Sequence, residues 1–162
     1  MSTAEQQPSN AERLWTDPQC PLARAVDLVG DRWVLLILRD VFTGVRRYTQ
    51  LHRSLGIARN ILTVRLQTLV NSGILTVQPA TDGTKYQEYV LTDRGEDLFT
   101  AMVALRQWGE KHAFAAGEQH SRLLETSSGR ALPPLYVLSA SGMAITSTHT
   151  HVEQPVPIPT GR

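Results

Sequence analysis

The 162 residues contain one cysteine, Cys20, which excludes an internal disulfide and any metal site built from thiolates. No apolar run reaches the ~18 residues of a membrane span. The opening MSTAEQQPSNAER lacks the apolar centre of a secretion signal, so a cytoplasmic protein without a membrane partner is expected. Catalytic signatures are missing too. There is no HExxH, P-loop or nucleophile elbow, and no histidine is evidently placed to activate Cys20. Neither an enzyme nor a cofactor is expected. Strong net charge is also lacking: 16 Lys and Arg oppose 15 Asp and Glu, for +1 overall. With 41% hydrophobic and 19% charged residues, the composition is that of a globular protein. Its length suits one dependable core plus a small appendage. No internal repeats occur.

The most informative absence is local. From Val41 to Thr81, 41 residues contain no Asp or Glu, yet they hold Arg46, Arg47, Arg53, Arg59, Arg65 and His52. Carboxylates there would repel phosphates and reduce the counterion release that drives binding to a polyanion. Positive charge concentrated in one acid-free segment is the footprint of a nucleic-acid-binding surface.

Periodicity divides the chain into a polar N-terminus (1–10), a helical and winged domain (11–116) and a small β-containing appendage (117–162). The pattern LARAVDLVGDRWVLLILRDVF reads as two helices broken near Gly30, with Asp31 as N-cap of the second. That second helix is apolar on most sides and is expected at the centre of the core. A short helix carrying Tyr48, Leu51 and Leu55 follows. After Gly56, IARNILTVRLQTLVNSG places Leu62, Leu66 and Leu69 on one arc. Asn60, Thr63, Val64 and Gln67 lie on the opposite arc, flanked by Arg59 and Arg65. Ala58 is a poor N-cap for this helix, and Gly73 suits its left-handed C-cap.

The β-prone runs ILTVQP and YQEYVL are joined through Asp82-Gly83 and form a hairpin with Lys85 near its tip. Thr92 caps a long helix expected from Asp93 to Ala116. Its Leu98, Phe99, Met102, Val103, Leu105 and Trp108 cover more than one core-facing stripe. The surplus predicts a partner surface, most simply the same helix of a second subunit. The expected fold is mainly α with a small β-wing, a winged helix-turn-helix.

On such a fold the helix from Arg59 is the recognition helix. Asn60, Thr63 and Gln67 face base edges, where amides pair bidentately with adenine. Arg59 reaches guanine or phosphate, while Arg46, Arg47, Arg53, Arg65 and Lys85 grip the DNA backbone and set register.

The ordered set Cys20-Pro21, the Trp33 helix, Tyr48 and Leu51, the Leu62-to-Leu69 helix, and Tyr89-x-Leu91-Thr92 before Gly95 resembles the HxlR-type winged-helix transcriptional regulators, relatives of the MarR regulators. The resemblance runs from Cys20 to about Lys111. It implies a homodimer held by the N-terminal and last long helices on a pseudo-palindromic DNA operator. Control by a small-molecule effector is a further expectation, with Trp33, Met102 and Trp108 as candidates for the effector cavity or dimer interface. A repressor is the expected output. A competing reading is a ligand- or protein-binding module on the same scaffold, with DNA binding secondary.

Some members of the family carry a zinc-ribbon-like tail with two CG-containing turns. SSGRALPPLYVLSASG resembles that scaffold, with Gly129 and Gly142 retained but Ser128, Leu138 and Ser141 where cysteines would stand. No metal is expected, and Leu132, Leu135, Val137 and Ile145 are expected to hold the tail by packing. His149 and His151 alternate as on an exposed polar strand. Cys20 has two readings, a small buried side chain or a redox sensor activated by the adjoining helix start and Arg24.

Overall fold

The computed structural model describes residues 15–155. The polar N-terminus read at 1–10, the proposed domain start at 11, and the end of the appendage, 156–162, lie outside them. Packing divides the chain into two compact units, residues 1–102 and 103–162, so the division falls inside the last helix. The sequence reading had placed it after residue 116. The reason is that Leu98 and Met102 pack on the core of the first unit, whereas Arg106 and Gln107, one turn further on, bond to residues of the tail.

In the first unit, α1 (Pro21–Val29) and α2 (Arg32–Phe42) are separated at Gly30 and Asp31. Asp31 caps α2, its carboxylate accepting the N–H groups of Trp33 at 2.9 Å and Val34 at 3.2 Å. The buried side chains Val34, Ile37, Leu38 and Val41 place α2 in the core. α3 (Tyr48–Leu55) contributes Leu51 and ends at Gly56, where φ is +62°. Ile57 is buried in the turn that leads to α4 (Arg59–Asn71). Leu62, Leu66 and Leu69 of α4 are fully enclosed. Each such leucine stabilises the fold by roughly 1.5–3 kcal/mol relative to exposure.

α4 terminates in a Schellman turn. Gly73 (φ +69°) donates to Val70 O and Ile74 to Leu69 O, at 2.9 and 3.0 Å. The chain then runs straight into β1 (Leu75–Pro79), which pairs antiparallel with β2 (Gln87–Leu91) in the register Leu75↔Leu91 to Pro79↔Gln87. Ala80 N–H closes the loop on Tyr86 O, and Tyr89 N–H donates to Arg46 O, tying the segment before α3 to β2.

The helix expected from Asp93 to Ala116 is broken in two, α5 (Asp93–Glu96) and α6 (Phe99–His112). The break follows from how tightly the start of α5 is clamped. The Thr92 hydroxyl accepts from Gly95 N–H and donates to Gly73 O, while Thr92 N–H donates to Ile74 O. A Cβ on Gly95 would lie 2.3 Å from Ile74 O. Leu98 N–H then bonds back to Gly95 O, a tight i→i−3 turn from which α6 starts afresh.

In the second unit, α6 is followed by a chain with isolated bridges Leu124↔Ala131 and Leu138↔Ala144. Gly129 (φ +65°) and Gly142 (φ +82°) turn the two loops. Hydroxyls hold them: Ser128 bonds to Glu125 and accepts from Arg130 N–H, and Ser139 accepts from Met143 N–H while pairing with Ser141. Gln107 fixes the middle of the tail with both ends of its amide, to Pro133 O and Leu135 N. Leu132 and Ile145 are half-buried, but Leu135 and Val137 are exposed. The expectation that all four hold the tail by packing is therefore corrected: polar turns replace part of the apolar core. Ser147–His149 is a 3₁₀ turn, in which His149 Nδ1 meets Thr146. The strand reading of His149 and His151 does not hold.

Replacing a glycine by alanine within an exposed helix ordinarily stabilises a protein by ~1 kcal/mol. Gly95→Ala should have the opposite sign, because Ile74 O is backbone and cannot step aside. A loss of about 2 kcal/mol is expected. Chemical denaturation of the two proteins decides it, and a stabilised variant would refute the close approach.

Candidate nucleic-acid interface

The leucine stripe of α4 determines what its other side does. With Leu62, Leu66 and Leu69 buried, Arg59, Asn60, Thr63, Val64 and Gln67 emerge into solvent. The N-cap, Ala58, supplies no side-chain bond, so the first N–H groups of α4 lack a side-chain cap at the end where a helix favours anions. What steadies this end comes from α3. The Tyr48 hydroxyl lies 3.0 Å from Arg59 O and 3.2 Å from the Thr63 hydroxyl, which itself donates to Arg59 O. Gln67 is held against Asn71 at 2.7 Å.

The basic residues fall into two groups. Arg46, Arg53, Arg59 and Lys85 are exposed and their side chains have no acidic partner among the described residues. Arg65 and Arg47 are tied. The Arg65 guanidinium forks onto both oxygens of Asp31, each at 2.9 Å. One carboxylate thus caps α2 and locks α4. Arg47 bonds to Asp82 in the wing loop, lies 3.6 Å from the buried Glu88 and faces the Tyr86 ring at 5.3 Å. It anchors the wing to the start of α3.

The Thr84 hydroxyl and the Arg47 guanidinium, with Thr84 N–H, hold the Asp82 carboxyl down at about 2. Asp82 is therefore charged throughout the physiological range and spent on Arg47, while Lys85 three residues on stays free. Tyr48, Asp31, Asp82 and Glu88 were missed as site residues in the sequence. Asp31 was read only as a cap and Tyr48 only as a packing residue, and nothing local marks the long-range partnerships.

The remaining candidates are scattered. Trp33 and Met102 are half-buried against the core of the first unit, with Arg32 over the Trp33 ring at 5.1 Å. Trp108 belongs to the second unit, is 65% exposed and lies tilted against the His112 ring. Cys20 is half-buried at the N-cap of α1, where its sulfur accepts Ala23 N–H at 3.4 Å.

Comparison with known proteins agrees with this geometry. A family model described as an HxlR-like helix-turn-helix matches residues 28–116. The HTH-type transcriptional regulator Rv3095 of Mycobacterium tuberculosis is 39% identical over 132 residues, spanning 82% of this chain and 84% of its own. The crystal structure of PA1607, a candidate transcription factor, superposes with a TM-score of 0.80 at 44% identity, covering 85% of this chain and 96% of that one. PA1374 from Pseudomonas aeruginosa, also a candidate transcription factor, gives 0.57 at 36% identity over 88% and 95%.

The Asp31–Arg65 fork gives the interface a pH signature. Burial pushes the Asp31 carboxyl up, but the Arg65 guanidinium and the Val34 and Trp33 N–H groups outweigh it, so its value lies below the usual carboxylate range. A carboxylate depressed on folding stabilises fully above its unfolded value, ~3.9, and that contribution is lost as pH falls through the lower folded value. Asp31→Asn keeps a capping oxygen and removes the charge. Its melting temperature should be below wild type at neutral pH, with the gap closing below about pH 4. A gap unchanged with pH in thermal melts would refute the pairing.

Proposed function

Since the chain belongs to the HxlR-like helix-turn-helix family, we propose that it acts as a dimeric transcriptional regulator reading a pseudo-palindromic operator with α4. The observation that carries this is the exposed outer face of α4 together with the unpaired Arg46, Arg53, Arg59 and Lys85. Asn60, Thr63 and Gln67 are assigned to base edges and Arg59 to guanine or phosphate. Arg46, Arg53 and Lys85 grip phosphates, which position the protein without reading sequence. Arg47 and Arg65, placed on phosphates by the sequence reading, are assigned instead to positioning: one holds the wing, the other the recognition helix.

Dimerisation is supported by apolar surface that no described residue covers. α1 buries no residue and leaves Leu22 72% exposed, and α6 exposes Leu105 and Trp108. Uncovered apolar faces mark association surfaces. Two copies of α4 would then enter successive major grooves about 34–36 Å apart. Occlusion of a promoter, hence repression, is the simplest output of such binding. Redox control is assigned to Cys20 through its cap: diamide, itself reduced to the hydrazine, couples the Cys20 thiols of two subunits in a disulfide, which draws Sγ away from Ala23 N–H and loosens α1, one of the dimer helices.

Fluorescence anisotropy of the purified protein on the DNA upstream of its own gene, against scrambled DNA and across a salt series, tests the DNA reading. Selective binding is expected, with log K falling against log salt by about 0.9 per phosphate neutralised. Arg59→Glu should abolish binding at unchanged melting temperature, whereas Arg65→Gln should lower the melting temperature. Equal, weak affinity on both DNAs would refute operator binding. Diamide should weaken operator binding by the wild type and leave Cys20→Ser unaffected; an indifferent wild type would remove Cys20 from the mechanism.

A further inference from the structure

The second unit carries a half-open pocket of about 230 Å³, with Arg122 exposed at its mouth, that the DNA reading does not use. Its wall combines the apolar side chains Val103, Leu123 and Leu132 with Arg106, Glu110 and Arg122. The charges are not equivalent. Arg106 is paired with Glu110, its Nε 2.9 Å from the carboxylate in an ion pair without a hydrogen bond, and its Nη2 donates to the backbone and hydroxyl of Ser121. Arg122 has no hydrogen bond or ion pair among the described residues. Arg106 and Glu110 cancel, which leaves one positive charge for the site. His120 is turned to its own surroundings, with Nδ1 2.9 Å from Ser121 O and its ring tilted against Phe114.

Size and charge restrict the occupant. A dry apolar cavity of ~150 Å³ takes benzene, so 230 Å³ accommodates about nine non-hydrogen atoms by the same scale. That is smaller than the ~300–1,000 Å³ of drug-sized sites. A single uncompensated guanidinium matches one negative charge, and its planar fork matches a carboxylate. An inorganic phosphate dianion would leave excess negative charge beside Glu110 and bury no apolar surface against Leu123 and Leu132. From this combination we infer that the second unit binds a small organic monocarboxylate. The carboxylate lies on Arg122 and an aromatic or short aliphatic body lies against Val103, Leu123 and Leu132. This site is independent of the DNA reading, since none of its residues belongs to α4 or the wing.

Isothermal titration of the full-length protein with benzoate, hexanoate and the neutral isostere benzamide tests it. Saturable binding of at least one carboxylate is expected, with benzamide at least tenfold weaker. Arg122→Gln, which breaks no hydrogen bond or ion pair among the described residues, should weaken carboxylate binding about tenfold or more, and Arg122→Lys should recover part of it. Ala131→Leu, which adds volume to the cavity wall, should abolish it. Three results would overturn the assignment: no saturable binding of either carboxylate, equal binding of benzamide, or affinity unchanged in both Arg122→Gln and Ala131→Leu. A thermal melt of each variant separates lost binding from lost folding.

Discussion

Burial of the leucine stripe of α4 is the constraint from which the first unit follows. Leu62, Leu66 and Leu69 have no exposure, so the rotation of α4 about its axis is fixed by packing, and the residues a half-turn away must face solvent. Packing alone leaves sliding along the axis less well determined. Three polar devices add that: the Asp31–Arg65 fork, the Tyr48–Arg59–Thr63 cluster at the N-terminus, and the Schellman turn at Gly73 that feeds β1 directly. A helix positioned at both ends and along one side has the rigidity that the proposed presentation of its side chains to base edges requires. That rigidity is what direct readout needs, because its hydrogen bonds depend on tenths of an ångström.

The same devices decide which cations are available. An acid-free run of sequence suggests that every arginine in it is free to meet phosphate. In the folded unit, Asp31, Asp82 and Glu88 reach in from outside that run and engage Arg65 and Arg47. An arginine already forked onto a carboxylate would have to give up charge-assisted bonds before contacting DNA. The positive surface is therefore carried by Arg46, Arg53, Arg59 and Lys85, around the exposed face of α4 and the wing tip. Positioning and contact are divided between residues of the same type by what lies beside each of them.

The second unit is built on a different balance. With no buried apolar side chain beyond Val103 among its described residues, its loops rely on hydroxyl bonds at Ser128, Ser139 and Ser141 and on the two-ended amide of Gln107. Left-handed glycines make those turns possible. A structure held this way can keep an apolar hollow with a charged rim, which a close-packed core would have filled.

The sequence by itself determined the order of helices and hairpin, the arc of leucines on α4, the capping roles of Asp31, Thr92 and Gly73, and the solvent-facing arc opposite the leucines. All of these rest on local chemistry or on periodicity within one element, which the backbone converts directly into geometry. The break between α5 and α6, the pairing of Arg65 with Asp31 and of Arg47 with Asp82, and the cavity beside Arg122 were decided only by the tertiary structure. The paired residues are 34 and 35 positions apart, and the backbone carbonyl that excludes a side chain at Gly95 belongs to Ile74, just ahead of β1. Electrostatic pairing and steric exclusion act through space. Whether an arginine is free or spent is therefore a property of its neighbours in the fold, and no local pattern records it.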